Sequence, residues 1–382
     1  MRSKLQRRHA RSGCAMGDVP FSNTGFRAGL RKFVERELLP RAKAWEDAGR
    51  FPRSVLQEFG RRGLISLDPQ HKAVLAEELP RSESLGLALS VFVQSNLIAP
   101  LLAELGTKRQ KQLRLQPLLK GKIMGAMAVS EPSAGSDLAA LRCSARRAGH
   151  HFLIDGIKTY VTNGACANFL IVAARTRDEE GLGALSLLLV PRSAPGLRVR
   201  PLATLGLKSA ATGEITFRGV RVPESALLGQ EGAAFGYIQQ ALNHERLFGG
   251  LACVAWAQYA LEKTAAFAGQ RRAFGQPLTK FQAIRHQFAE MATLLEAARQ
   301  LNYATFARWV GGKDATKEIC MIKLFSYQTA QQVIERCLQL HGGAGYLDNQ
   351  WISRFYRDAR ALTIAAGTPE IMKELIAAYL RL

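Results

Sequence analysis

The chain has 382 residues, of which 47% are hydrophobic, and carries a net charge of +21. That length and apolar content support a large buried core and two or three globular domains, which excludes a disordered or fibrous chain. Its six cysteines (Cys14, Cys143, Cys166, Cys253, Cys320 and Cys337) form no C-x-x-C pair, which argues against a disulfide framework or a zinc site and for reduced thiols in a cytoplasmic compartment.

The first fifteen residues hold Arg2, Lys4, Arg7, Arg8 and Arg11 and no acid, which fits a transit peptide, with a mitochondrial matrix location, or a start site placed upstream of Met16. The other basic residues occur in every region and form no block, as on an evenly charged solvated surface. Acidic carrier proteins, polyphosphate ligands, anionic membrane and nucleic acid are the partners such a surface attracts.

From Phe21 to Gly121 the apolar period is helical, with stops at Gly49, Gly63, Gly106 and Gly121. The run from Leu85 to Ala103 has no charged residue and is long enough to cross a bilayer. Gln94, Ser95, Asn96 and Pro100 interrupt it and no second such run exists, so the expectation is a core helix and no membrane span. From Lys122 the pattern shifts to short β-rich runs: I-M-G-A-M-A-V, H-F-L-I-D-G, K-T-Y-V-T-N-G, N-F-L-I-V-A-A, L-S-L-L-L-V-P and G-E-I-T-F-R-G-V-R-V-P. After Pro223 long helical patterns return, broken near Gly275-Gln276-Pro277, Gly311-Gly312, His341-Gly342-Gly343 and Gly367. The expected division is a helical domain over 17–123, a β domain over 124–225 and a helical bundle over 226–382, an α+β arrangement.

The third region contains L-N-H-E-R-L-F-G-G, residues 242–250, inside a proline-free helical pattern from Glu231 to Gln276. Helical spacing places Glu245 on an apolar stripe with Ile238, Ala241, Leu242, Phe248, Gly249 and Ala252. A carboxylate buried there must raise its pKa or find a partner. Arg246 is a poor partner, because adjacent helical residues point in different directions. His244 lies on another face and reads as a packed neighbour.

Five motifs follow in order: S-E-P-S-A-G-S-D at 130–137, D-G-I-K-T-Y-V-T-N-G at 155–164, R-R-A-F-G-Q-P-L-T-K-F-Q at 271–282, Q-L-H-G-G-A-G-Y at 339–346 and A-G-T-P-E-I at 366–371. The first alone would read equally as a Gly-rich turn capped by Asp137. In this order and spacing the five resemble the acyl-CoA dehydrogenase family, from about Phe21 to the C-terminus.

The resemblance implies a helical N-terminal domain, a central β-barrel and a C-terminal four-helix bundle, assembled as a dimer or tetramer. It implies bound FAD, with Val129, Ser130, Ser136, Tyr160 and Thr162 along the isoalloxazine. Arg271, Phe274, Gln282, Gln339 and Gly343 then reach the FAD of the neighbouring subunit, and Thr368 lies near the adenine end. For the substrate thioester it implies Ser136, Asn243, Arg246, Ala366 and Gly367, with the backbone N–H at Ala366 holding the thioester oxygen. It implies no metal.

Most of the family carries its catalytic glutamate immediately before the C-terminal Gly-Thr, where this chain has Ala366. A subset resembling the isovaleryl-CoA and long-chain enzymes carries it on the first helix of the C-terminal domain, before an arginine, and Glu245-Arg246 stands there. Glu245 is therefore the expected base for the α proton, with hydride passing from the β carbon to flavin N5. Two departures stand out. Tyr160 replaces a common tryptophan, and a Gly-rich loop near the acyl end is missing between Leu67-Asp68-Pro69 and A-E-E-L at 76–79. The rival readings are a dehydrogenase of an acyl or aminoacyl group on an acidic carrier protein, an oxidase instead of a partner of an electron-transferring flavoprotein, and a DNA-binding member, which would need a basic C-terminal extension.

Overall fold

A computed structural model describes residues 24–177 and 181–382. The basic N-terminal stretch with Cys14 lies outside these residues. The five other cysteines are all free thiols.

The first domain is built from α1 (Thr24–Phe33), α2 (Ala42–Asp47), α3 (Arg53–Arg61), α4 (Pro69–Glu78), α5 (Leu85–Phe92) and α6 (Ala99–Leu105), with short turns α7 (Lys108–Gln110) and α8 (Gln116–Leu119). The shortened Leu67-Asp68-Pro69 segment is a helix start. Asp68 accepts from the backbone N–H groups of Gln70 and His71, and Pro69 takes the first turn, where its missing N–H costs nothing. A π-helical turn, Val93–Ile98, joins α5 to α6. The continuous helix Leu85–Leu105 is long and apolar enough to cross a membrane, yet 83% of its apolar window is buried inside the protein. Gln94, which interrupts that run, exchanges two 2.9 Å hydrogen bonds with the backbone of Gly125. The polar residue thereby pins the helix to the first strand.

The middle domain is one eight-stranded mixed sheet in the order β6-β7-β3-β2-β4-β5-β8, with β1 alongside β4. Its strands are β1 (Gly125–Ala128), β2 (Ser144–Ala148), β3 (His151–Val161), β4 (Phe169–Arg175), β5 (Leu185–Pro191), β6 (Leu197–Pro201), β7 (Gly213–Pro223) and β8 (Leu227–Leu228). The two runs H-F-L-I-D-G and K-T-Y-V-T-N-G form one strand, β3, with a register shift at Gly156, whose φ of +142° a side chain rarely adopts. Three strands go beyond the apolar runs: β2, Ser-Ala-Arg-Arg-Ala, the edge strand β6, Leu-Arg-Val-Arg-Pro, and the two-residue β8.

Alternation explains why β4 and β5 are apolar throughout. Leu170, Val172 and Ala174 with Leu188 and Val190 face the β domain's own core, while Phe169, Ile171 and Ala173 with Leu185, Leu187 and Leu189 join the helical core. The sheet is thus a shared wall between two apolar cores.

The third domain has α9 (Ala234–Gln270), a hairpin of β9 (Arg272–Ala273) and β10 (Gln276–Pro277), α10 (Gln282–Val310), α11 (Thr316–Leu340), α12 (Trp351–Leu362) and α13 (Pro369–Leu380). Helices α9 and α11 touch through Gly249 and Gly250. A Cβ at Gly249 would lie 2.0 Å from Tyr327 Oη, and one at Gly250 would lie 2.2 Å from Ile322 Cγ2. That contact sets α11 directly against the Glu245 segment.

Candidate active site

Glu245 sits in the middle of α9, half-buried among the buried Ile238, Ala241, Phe248 and Ala252. Its carboxylate has no hydrogen-bond or ion-pair partner among the described residues. Burial pushes its pKa up, and the positive charges of Lys323 and Arg246 oppose that rise. Arg246 makes no hydrogen bond to it, as adjacent helical positions require. His244 packs edge-on against Trp309, with ring centroids 5.4 Å apart, and burial lowers its pKa.

Arg246 is almost fully buried and points to the turn between α12 and α13. Its Nε donates to the Ala366 carbonyl at 2.9 Å and its Nη1 to Asn243 Oδ1 at 3.2 Å. Ala366 has φ +57°, a left-handed backbone conformation unusual for alanine. At Gly367, φ is +106°, and a Cβ would lie 2.7 Å from Met372 Cε and 3.2 Å from Arg246 Nη2. Arg246 therefore holds a strained turn beside the Glu245 segment. The Ala366 N–H has no acceptor among the described residues, so it is free to donate to a ligand.

The structure thus brings Glu245, Asn243, Arg246, Ala366 and Gly367 into one cluster, although they come from two ends of the third domain. Ser136 does not join it. It lies exposed on the loop after β1, where Asp137 accepts from Ala139 N at 3.0 Å and caps the next turn.

Two residues of this cluster have no counterpart among the motifs. Lys323 and Tyr327 lie one turn apart on α11, both buried. The Lys323 ammonium donates to the Leu362 carbonyl and stands 3.8 Å from the centre of the Tyr327 ring. Tyr327 Oη donates to the Arg246 carbonyl at 3.4 Å. Burial lowers the Lys323 pKa to about 8 and raises that of Tyr327. The signal was available: Lys323 is a charged residue on the apolar stripe of Ile319, Cys320 and Ala330, the same anomaly that singles out Glu245.

The flavin candidates fall into two groups. Val129, Ser130, Tyr160 and Thr162 gather at one end of the sheet, where Thr159 N donates to the Ser130 carbonyl at 2.9 Å and Lys158 Nζ to the Val129 carbonyl at 2.7 Å. Lys158 is fully buried and also pairs with Glu131 at 2.8 Å, so a rigid charged pair stands behind these backbone groups. Ser136 is on the loop that leads from the same strand. The second group, Arg271, Phe274, Gln282, Gln339 and Gly343, lies exposed on the hairpin and at adjoining helix ends of the third domain. Among the described residues no hydrogen bond or ring contact joins the two groups. Thr368 Oγ1 caps α13 at 3.5 Å from Ile371 N.

The donor set fits a flavin dinucleotide. Tyr160 and Phe274 are 71% and 94% exposed, each at positive φ, and Phe274 touches Phe281 only edge-on with ring centroids 6.2 Å apart, so both rings leave most of their surface open to a ligand. A Cβ at Gly342 or Gly343 would meet nothing within 4 Å, which leaves the backbone open to close approach. Hydroxyls suit the polar ring edge, and the Arg271 fork suits a pyrophosphate. Among the described residues no group of His, Cys, Asp or Glu could hold a metal ion.

Three family profiles match in sequence: "Acyl-CoA dehydrogenase, N-terminal domain" over residues 23–122, the middle domain over 126–220 and the C-terminal domain over 232–380. The long-chain specific acyl-CoA dehydrogenase of Mus musculus mitochondria is 34% identical over 366 residues, covering 92% of this chain and 85% of that protein. The crystal structure of an acyl-CoA dehydrogenase from Geobacillus kaustophilus is 34% identical with a TM-score of 0.90, over 94% of this chain and 98% of that one. A glutaryl-CoA dehydrogenase from Mycobacterium smegmatis in complex with FADH2 is 25% identical with a TM-score of 0.85, over 94% of each chain. Sequence motifs, three-domain architecture and these likenesses agree: the chain belongs to the acyl-CoA dehydrogenase family.

Proposed function

We propose that this oxidoreductase introduces an α,β double bond into an acyl thioester, with Glu245 as the base that removes the α proton. The observation that carries the reading is the Glu245 carboxylate, half-buried on an apolar helix face and beside a strained turn, with neither it nor the Ala366 N–H having a partner among the described residues. A base kept free of hydrogen bonds and raised in pKa by burial is suited to taking a proton near neutral pH. The Ala366 N–H stabilises the negative charge that develops on the thioester oxygen as the proton leaves. Arg246 keeps that donor in place by holding the carbonyl of the same residue, and Asn243 orients Arg246.

FAD is the cofactor, held by Val129, Ser130, Ser136, Tyr160 and Thr162 of one subunit and by Arg271, Phe274, Gln282, Gln339 and Gly343 of its neighbour, with Thr368 toward the adenine. When bound, it supplies the two-electron acceptor at N5 for the hydride that leaves the β carbon. The exposed Phe274 is the support for a shared site and hence for a homo-oligomer. Electrons then pass to an electron-transferring flavoprotein. The division at 123/124 and 225/226 follows the change from helix to sheet and back.

The test is anaerobic flavin reduction against a panel of acyl-CoA and acyl-carrier thioesters, followed by Glu245→Gln with the best substrate. The variant should retain FAD and reduce it ~10²-fold or more slowly. Unchanged reduction by Glu245→Gln overturns the assignment. A carrier-bound substrate is the second reading, supported by the charge of +21. It requires kcat/KM to fall more steeply with salt for the carrier thioester than for the CoA thioester.

A further inference from the structure

Lys323 has no place in the chemistry derived so far, yet it is 3% exposed and its ammonium has no carboxylate hydrogen-bonded to it among the described residues. Burying a lysine on these terms is costly unless nearby charge repays it. Its two direct contacts are informative. The Leu362 carbonyl closes α12, at the start of the turn that carries Ala366 and Gly367. The Tyr327 ring, 3.8 Å away, belongs to the side chain whose hydroxyl donates to the Arg246 carbonyl. Lys323 and Arg246 thus grip the two ends of one turn, at Leu362 and Ala366, and both charges act on Glu245.

The ionisable groups around Glu245 can be named by element. On α9 they are Arg246 and Cys253. On α11 they are Cys320, Lys323 and Tyr327, with the thiols and the phenol neutral because burial raises them. From the side of α4 and α6, Lys72 and Glu104 act on His244. The charges of Lys323 and Arg246 therefore both act on Glu245. With Glu245 protonated they would stand buried and uncompensated, which favours the ionised base.

We propose that Lys323 is a positioning residue for proton abstraction: its ammonium, fixed by the Leu362 carbonyl and the Tyr327 ring, sets a buried positive charge beside the Glu245–Arg246 segment and anchors the turn that carries Ala366. The catalytic weight of this inference rests on the proposed role of Glu245, but its physical content, a charge coupling between two named side chains, is measurable without substrate.

The experiment is a pH titration of the FAD-bound enzyme by infrared spectroscopy, following the protonated carboxyl band that disappears in Glu245→Gln. Lys323→Gln keeps a donor for the Leu362 carbonyl but no charge, and Lys323→Arg keeps the charge. The Gln variant should raise the Glu245 midpoint by about one pH unit or more, and the acid limb of the flavin-reduction profile should move by the same amount. The Arg variant should stay near wild type. A purely structural lysine would leave the midpoint unmoved in Lys323→Gln, and that result overturns the proposal, as does an equal shift in Lys323→Arg. Should Lys323→Gln fail to fold, the coupling is read from the other side. The Lys323 ammonium, titrated by nitrogen NMR, should have a lower midpoint in Glu245→Gln than in wild type, and an unchanged midpoint overturns the proposal. Full activity of Glu245→Gln would overturn the proposed base, while these titrations would still report the coupling.

Discussion

Arg246 Nε donates to the Ala366 carbonyl at 2.9 Å, tying α9 to a turn 120 residues further along the chain. The bond fixes a residue at positive φ beside Glu245 while a second guanidinium nitrogen holds Asn243. Lysine keeps the charge but is a point donor and cannot serve both acceptors. Arg246→Lys should therefore retain FAD and reduce substrate-dependent flavin reduction by ~10–10²-fold, the scale expected when a reacting group shifts by about 1 Å. Stopped-flow reduction with the best thioester checks this, and wild-type rates would show that the turn holds its shape unaided.

Moving the carboxylate tests whether Glu245 and Ala366 face one substrate atom. Glu245→Ala should abolish most flavin reduction, and adding Ala366→Glu should restore part of it. Position 366 already bears a Cβ at φ +57°, so the longer side chain adds no new backbone strain. No recovery at any pH would place the two positions against different parts of the substrate.

Asp358 gives a pH signature in stability. It is buried, its Oδ1 accepts from Leu207 N at 2.5 Å, and its Oδ2 has no partner among the described residues. Burial, followed by repulsion from Glu46, pushes its pKa up to about 8. A carboxyl whose pKa in the folded state lies above its unfolded value of about 3.9 favours folding when protonated, so that contribution is lost as pH rises from about 4 toward 8. Asp358→Asn keeps the acceptor and should flatten this part of the profile. Denaturant midpoints at pH 5 and pH 8 should converge in the variant and differ in the wild type.

Phe274 separates chain stability from flavin retention. With 94% of its surface exposed, Phe274→Ala should change the unfolding free energy of the chain by less than about 0.5 kcal/mol. If the ring covers the FAD of a neighbouring subunit, the same change should lower FAD occupancy after dilution or gel filtration. Full FAD retention by a verified monomer would remove the shared site.

The parts of this protein legible in the sequence are those set by local period and by short motifs. The 3.6-residue period put Glu245 on an apolar face of α9, and glycine and proline marked the helix breaks, because both are properties of a few neighbouring residues. The motifs in order were enough for the family. Strands β2 and β6 were missed because three of the five residues in each are exposed, two of them arginines, and the joining of two runs into β3 depended on a register shift with β7. Tertiary structure alone decided that Glu245 lacks a partner among the described residues, that Arg246 turns to Ala366, and that Lys323 stands beside them. Those facts depend on where α9 and α11 meet and on how the chain returns after α12, and packing between distant segments leaves no periodic trace in either one.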